Sequence, residues 1–113
     1  MLLTIRGRIP SKKNSRINTR SGRSFPSSKY TAWHKDASLQ ISRAHKQTQK
    51  GISLTFYMPD NRRTDLTNKA ESVMDLLVDN GIFEDDSWQI TGDVSLSCNG
   101  IDKLNPRVEI SYN

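Results

Sequence analysis

Residues 65–79 constrain the fold more than any other segment, because their apolar residues follow the period of a helix. The residues of this stripe are Leu66, Ala70, Val73 and Leu77. Spacings of three and four place them on one face, and Gly81 lies just beyond, where helices commonly stop. The pattern predicts a helix over about residues 65–79 that packs its stripe against a second layer of structure.

Four other segments alternate apolar and polar residues with the two-residue period of a half-buried strand. The residues expected to face the core are Leu3, Ile5 and Gly7; Ile52, Leu54, Phe56 and Met58; Trp88, Ile90, Val94, Leu96 and Cys98; and Val108, Ile110 and Tyr112. Gly92 interrupts the third segment and predicts a β-bulge there. Cys98 is expected to be a small core residue.

A second helical stripe predicts a helix from Lys29 to about Lys46, with Ser28 near its N-cap. This stripe consists of Tyr30, Trp33, Ala37, Ile41 and Ala44. His34 and His45 fall off the stripe and are expected at the surface. The order of elements is therefore β-α-β-α-β-β, and the fold class is α+β: a small mixed β-sheet with two helices packed on it.

Charge is unevenly distributed along a chain whose net charge is +5. The first 30 residues carry eight cations and no acid, whereas residues 60–86 carry eight acids and three cations. Residues 9–28 are rich in Ser, Asn, Gly, Pro and Arg and show no period, which predicts a flexible basic loop. A basic arm beside an acidic pocket suits a polyanion held over bound cations, whereas the alternative is a disordered tail and a solvated acidic face.

The remaining composition excludes several classes of protein. The length predicts one domain, residues 1–113, and the 34% hydrophobic content predicts a thin core that a partner subunit could cover. A single cysteine excludes an internal disulfide and a Cys-based zinc motif and fits a reducing cytoplasm. No apolar run approaches the roughly 18 residues of a membrane span, so we expect a soluble, unprocessed protein with no membrane contact and no organic cofactor.

The acidic residues point to metal chemistry. Asp65, Asn68, Glu71 or Ser72, and Asp75 advance by three or four residues and are expected to share the helix face opposite the apolar stripe. Carboxylates about 4 Å apart repel by about 4 kcal/mol at an effective dielectric near 20, so a cation should lie between them unless the face is well solvated. Oxygen-only clusters suit Mg²⁺ or Mn²⁺, which supports metal-assisted phosphodiester hydrolysis.

Asp85 and Asp86 follow this helix at the predicted start of the next strand. Neighbouring strand residues point to opposite sides, so only one of the two is expected to face the helix. Each acid also has a structural interpretation: Asp65 as an N-cap, Asn68 with Glu71 as a capping box, and Asp79 as a solvated acid at the helix end. Asp60 is interpreted as a turn residue.

The chain resembles the RusA-like Holliday junction resolvases, metal-dependent endodeoxyribonucleases of phage and prophage origin. The resemblance covers most of the chain through "IPSKKNS", "RRTDLTN", "DLLVDNGIFEDDS" and "NPRVEI". It implies an α+β homodimer that cuts four-way DNA junctions symmetrically with Mg²⁺ or Mn²⁺, in the cytoplasm of a bacterial or phage-infected cell. Asp65 matches the first essential aspartate and Asp86 the late one, while Asn68, Asp75 and Asp85 match polar or acidic positions.

Two positions depart from the family pattern, Asp-x-Asp-Asn followed by a lysine four residues after the second aspartate. Thr67 and Glu71 stand there, so Glu71 is expected to replace the missing carboxylate, and Lys69, Lys12 or Lys13 to replace the lysine. The hypothesis is that Asp65, Glu71, Asp75 and Asp86 are catalytic and hold the metal, with Asp85 as a further ligand. The residues expected to bind DNA are Lys12, Lys13, Asn14, Arg16, Arg20, Arg23, Arg62, Arg63 and Lys69.

Two alternatives remain open at this stage. The same metal site would serve a less selective nuclease of branched or flap DNA. A non-catalytic junction-binding protein would carry the acids only to balance the charge of the chain.

Overall fold

The computed structural model of the protein describes residues 1–11, 16–18, 22 and 24–113. Its strands are β1 (Leu2–Arg6), β2 (Arg16–Asn18), β3 (Ser24–Pro26), β4 (Ile52–Met58), β5 (Val94–Ile101) and β6 (Arg107–Tyr112). Its helices are α1 (Ser28–Gln40), α2 (Leu66–Asp79) and the single turn α3 (Trp88–Thr91). None of these helices combines the length and the hydropathy that a membrane span requires.

Four strands form a mixed sheet in the order β1-β6-β4-β5. The pairs β1–β6 and β6–β4 are antiparallel, whereas β4–β5 is parallel. A parallel pair cannot be joined by a tight turn, so the chain crosses over through α2. The predicted α+β class, with a mixed sheet and helices packed on it, is confirmed.

The core lies between the helices and one face of the sheet. On β1, β4 and β6 most of the residues predicted to face inward are buried, among them Ile5, Leu54, Phe56, Val108 and Ile110, whereas Met58 and Gly7 are only partly buried. The helices contribute their predicted stripes, and the buried members are Tyr30, Ala37, Ile41, Ala70, Val73 and Leu77. The two-residue and three-to-four-residue periods therefore identified these faces correctly.

The first helix is shorter than predicted. It begins after the N-cap Ser27, whose Oγ accepts from the N–H of Tyr30, and ends at Gln40 instead of about Lys46. The apolar stripe continues past this end because a turn, closed by the N–H of Ala44 donating to the carbonyl of Ile41, keeps both residues on the core side. Periodicity alone therefore overestimated the length of the helix.

The predicted loop of residues 9–28 contains two short strands. β2 and β3 pair antiparallel, with Ile17 opposite Phe25. The loop also begins inside the fold, because Ile9 is buried. The arm therefore starts from a packed base and carries a two-stranded ribbon.

The prediction for residues 88–98 was wrong in its first half. Residues 88–91 form α3, whose first turn closes when the N–H groups of Ile90 and Thr91 donate to the carbonyl of Ser87. Trp88 is 74% exposed, whereas Thr91 is buried. Gly92 ends this turn at a φ of 72°, so it is a helix terminator and not a β-bulge.

β5 is an edge strand of the sheet, and this explains a second correction. Val94, Leu96 and Cys98 pair in register with the inward residues Ile52, Leu54 and Phe56. The helices leave this side of the strand largely uncovered, so Val94 and Cys98 are exposed. Cys98 is therefore not a core residue.

Gly92 lies in the crossover between β4 and β5, and its substitution tests how closely the chain packs there. Its positive φ is costly for other residues, and an added Cβ would lie 2.6 Å from the Cβ of Lys50. We expect Gly92→Ala to lower the free energy of unfolding by about 2–3 kcal/mol, measured by urea denaturation. Gly100→Ala, where the φ is also positive but the space is open, should cost about 1 kcal/mol. Equal losses in the two variants would contradict the steric explanation.

Candidate functional site

Glu71 and Asp86 line the same cavity, which we call the carboxylate cavity. It has a volume of about 250 Å³ and lies between α2 and the edge strand β5. Its other lining residues are Thr67, Ala70, Met74, Val94 and Leu96. Both carboxylates are on exposed residues, so the apolar floor carries two acids that solvent and a large substrate can reach.

Asp86 is positioned by the loop that joins α2 to α3. Asp85 and Asp86 were predicted to begin a strand, but they precede α3, so the argument from alternating strand faces does not apply. Asp85 instead accepts a hydrogen bond of 2.8 Å at Oδ1 from the N–H of Asp86. Asp86 faces the cavity, and Asp85 stabilises the backbone beside it.

Asp65 is the N-cap residue of α2 by position, but its side chain makes no capping hydrogen bond. Its Oδ2 accepts from Nδ2 of Asn68 at 3.3 Å, and the side chain is exposed. The carboxylate therefore remains accessible to a ligand. A rise of 1.5 Å per residue separates Asp65 from Glu71 by about 9 Å along the helix axis.

The polar ridge predicted on α2 included either Glu71 or Ser72, and the structure places these two neighbours on different sides of the helix. Glu71 is exposed and lines the carboxylate cavity. Ser72 is fully buried, and its Oγ donates to the carbonyl of Pro10 at 2.7 Å. Asp75 is half-buried and, like Asp65 and Asp85, does not line the carboxylate cavity.

The donor set fits a divalent cation bound largely through water. Within the ranges that the structure describes, no three carboxylate, imidazole or thiolate groups are close enough to form a metal cluster. Mg²⁺ does not require one, because it commonly uses one or two carboxylates, several waters and the phosphates of the substrate. Glu71 and Asp86 supply two such carboxylates at a cavity open to solvent.

A basic cavity lies at the start of α2, and we call it the arginine pocket. Its lining includes Arg8, Asp60, Arg62, Arg63, Thr64 and Lys69. Asp60 is the central acid: its Oδ2 accepts from Nη2 of Arg8 at 2.5 Å, and its Oδ1 accepts from the N–H of Arg62 at 3.0 Å. The hydrogen bond from Arg8, helped by that from Arg62, holds the pKa of Asp60 below its usual value.

Neither Arg8 nor Asp60 was predicted to belong to a site. Asp60 was interpreted as a turn residue from its neighbours Pro59 and Asn61 alone. Its partner Arg8 lies 52 positions away in the sequence, and a contact over that separation produces no periodic pattern. The one available signal was an acid placed two positions before a pair of arginines, in a segment that leads into the acidic helix.

Lys69, which was predicted to bind DNA, is buried at the edge of the arginine pocket. It is 7% exposed, and its Nζ donates to the carbonyl of Ile9. Burial lowers the pKa of Lys69; Arg8 lowers it further, and Asp60 acts in the opposite direction. Lys69 lines the arginine pocket and not the carboxylate cavity. Its predicted role in place of the family lysine stays a prediction.

The other residues predicted to bind DNA are only partly described. Arg62 and Arg63 are exposed, and Arg16 lies in β2. Five residues lie outside the described part of the chain: Lys12, Lys13, Asn14, Arg20 and Arg23. Their predicted contacts with phosphate therefore stay predictions.

The pairing of Asp60 with Arg8 can be tested by titration. A depressed pKa means that the interaction stabilises the fold at neutral pH and is lost as pH falls through the folded-state pKa, below the ordinary 3.8. We expect the carboxyl ¹³C signal of Asp60 to titrate at higher pH in Arg8→Gln than in the wild type. Arg43→Gln removes an exposed cation elsewhere and should leave the signal unchanged. An unchanged titration in Arg8→Gln would contradict the assigned cause.

Comparison with known proteins identifies the family of the chain. A family model described as endodeoxyribonuclease RusA matches residues 7–112 of the 113-residue chain, a range that includes both cavities. A search of curated proteins found no match. Because the model covers nearly the whole chain, the protein belongs to the RusA family of endodeoxyribonucleases.

Proposed function

We propose that the protein is a metal-dependent, structure-selective endodeoxyribonuclease that resolves four-way DNA junctions by paired phosphodiester hydrolysis. The observation that carries this proposal is the carboxylate cavity, which joins Glu71 and Asp86 in a chain of the RusA family. The substrate is branched DNA, and the cellular role is recombination and repair in the cytoplasm of a bacterial or phage-infected cell.

Glu71 and Asp86 are the residues that would hold Mg²⁺ or Mn²⁺, with the exposed carboxylate of Asp65 approaching from the start of α2. When bound, such an ion activates a water and stabilises the charge that develops on the phosphate oxygens. The arginines at the start of α2 bind and orient the DNA backbone, which they recognise without regard to base sequence. Asp85 supports this arrangement through its hydrogen bond with the N–H of Asp86, whereas Asp75 lies outside the cavity.

The two departures from the family pattern compensate each other in space. Thr67 stands where the family has its second aspartate and Glu71 where it has its lysine, and both residues line the carboxylate cavity with Asp86. They are one helical turn apart on the same side of α2, so Glu71 supplies a carboxylate close to the position that Thr67 leaves without one. The proposed site thus keeps two acids beside the edge of the sheet.

A homodimer follows from the substrate, since symmetric incision of a two-fold junction requires two sites related by a two-fold axis. The edge strand β5 is the surface that best fits a second copy of this chain. It presents unpaired backbone groups along one side, and Val94 and Ile101 on the strand, with the neighbouring Trp88, are exposed apolar residues.

The catalytic assignment predicts a separation of cleavage from binding. On a synthetic four-way junction with Mg²⁺, Glu71→Gln and Asp86→Asn should each cleave at least about 100-fold more slowly than the wild type, because each removes a metal-binding carboxylate. Their affinity for the junction measured in EDTA should not fall. Asp65→Asn should also reduce cleavage, by a smaller factor.

Glu84→Gln is the matched control for this experiment. Glu84 is an exposed acid of the same loop that does not line the carboxylate cavity, so its variant should cleave like the wild type. A wild-type rate in either Glu71→Gln or Asp86→Asn would refute the assignment of these two carboxylates, and wild-type rates in both Asp65→Asn and Asp86→Asn would refute the role of the acidic residues as a set.

The dimer surface predicts an effect of charge on assembly. Ile101→Asp, a substitution on β5 outside the carboxylate cavity, should shift the protein from dimer to monomer in sedimentation velocity, because a carboxylate would be buried between two apolar edges. Leu104→Asp changes an apolar residue that is 98% exposed in the turn before β6 and should leave the dimer intact. A wild type that sediments as a monomer at every concentration would contradict the proposed pairing.

Substrate comparison separates the alternatives. A less selective nuclease would cut flap and branched duplexes as fast as the four-way junction. A non-catalytic junction-binding protein would bind equally well with and without EDTA and would not cut any of them. Selective, Mg²⁺-dependent cutting of the junction is the outcome that supports the proposal.

A further inference from the structure

The arginine pocket carries more positive charge than its own acid can balance. Its lining holds four cations, Arg8, Arg62, Arg63 and Lys69, and one carboxylate, Asp60. Asp60 is occupied by two of them, through Nη2 of Arg8 at 2.5 Å and Nε of Arg62 at 3.7 Å. Three positive charges therefore remain around a cavity of about 130 Å³.

The buried Lys69 distinguishes this pocket from a patch of exposed basic side chains. Its side chain is more than nine-tenths buried, and it is fixed by donation to the carbonyl of Ile9. An ammonium group has three N–H donors and no acceptor, so donors beyond the one given to Ile9 remain for a ligand. The carbonyl of Ile9 accompanies the buried ammonium, but it carries no full negative charge, and Asp60 is shared with two arginines. A bound anion would therefore lower the cost of burying this cation.

The size of the pocket suits one phosphate group. Since a water molecule occupies about 30 Å³, the cavity has room for about four waters, comparable to the oxygens of one phosphate. Planar guanidinium groups such as those of Arg8 and Arg62 match phosphate oxygens with two parallel hydrogen bonds.

We propose that the arginine pocket binds one phosphate of the DNA backbone, and that this phosphate is not the scissile one. The proposal rests on the proposed function for the identity of the polyanion. The arginine pocket and the carboxylate cavity share no lining residue, so the two phosphates are held at separate places on α2. Asp60 is a positioning residue, because it holds Arg8 and Arg62 in the geometry that the phosphate meets.

The salt dependence of junction binding tests this proposal. In EDTA, Lys69→Met should bind the junction about 5- to 10-fold more weakly near 0.1 M NaCl, and its plot of log K against log salt should be less steep by about one unit, because one phosphate contact is lost. Arg8→Gln should show the same change. Lys35→Met and Arg43→Gln remove exposed cations outside both cavities and should leave the slope as in the wild type.

Inorganic phosphate provides a second probe. In ¹H–¹⁵N spectra of the full chain, it should shift the side-chain signals of Arg8 and Arg62 in the wild type and not in Lys69→Met. Should Lys69→Met fail to fold, Arg8→Gln decides, because the Arg8 side chain is 51% exposed and its replacement leaves the core untouched.

The outcomes separate this inference from the proposed function. Unchanged salt slopes in both pocket variants would overturn the phosphate pocket, even if Glu71→Gln and Asp86→Asn abolish cleavage. Reduced slopes in a protein that never cuts DNA would support the pocket while the proposed nuclease activity fails. A response to inorganic phosphate with unchanged DNA slopes would show binding of a free anion only and would also overturn the assignment to the DNA backbone.

Discussion

The parallel pairing of β4 with β5 is the constraint on which the rest of the structure depends. Parallel neighbours require a long crossover, and here the crossover contains α2. The helix must bury one side against the sheet, which leaves two sides for other contacts. One side, with Thr67 and Glu71, faces the edge strand, and the other, with Lys69 and Ser72, faces the base of the arm.

This division separates opposite charges along one helix. The side facing β5 carries Glu71, beside the same cavity as Asp86 of the following loop. The buried Lys69 lies on the side facing the arm, and Arg62 and Arg63 precede the helix. The hydrogen bond from Arg8 lowers the pKa of Asp60, and burial lowers the pKa of Lys69. None of the causes of these two shifts is an acid of the carboxylate cavity. A polyanion that lay across α2 would thus meet cations at one end and the acids of the carboxylate cavity farther along.

Sequence periodicity was sufficient to predict the elements that keep a single helical or strand period along their length. The stripe of α2 and the inner faces of β1, β4 and β6 were predicted because each of these elements packs against the core along its length. The two-residue period gave the wrong structure for the first half of residues 88–98. The carbonyl of Ser87 accepts the N–H groups of a helical turn, and Gly92 ends that turn, within a segment whose residues alternate like those of a strand. The burial of Lys69 and Ser72 was not predictable, since their acceptors Ile9 and Pro10 lie about sixty positions away. At the candidate site, the sequence named both Glu71 and Asp86, but only the three-dimensional structure showed that these two residues line one cavity.

The most direct measurement is paramagnetic broadening of backbone amide signals by Mn²⁺ in the presence of duplex DNA. If Glu71 and Asp86 hold the ion together, broadening should be strongest around these two residues, should spread to Thr67 and Val94 across the carboxylate cavity, and should be lost in Asp86→Asn. Broadening centred on Asp79 and Glu84, or none at any Mn²⁺ concentration that supports cleavage, would contradict the assignment of this cavity as the metal site.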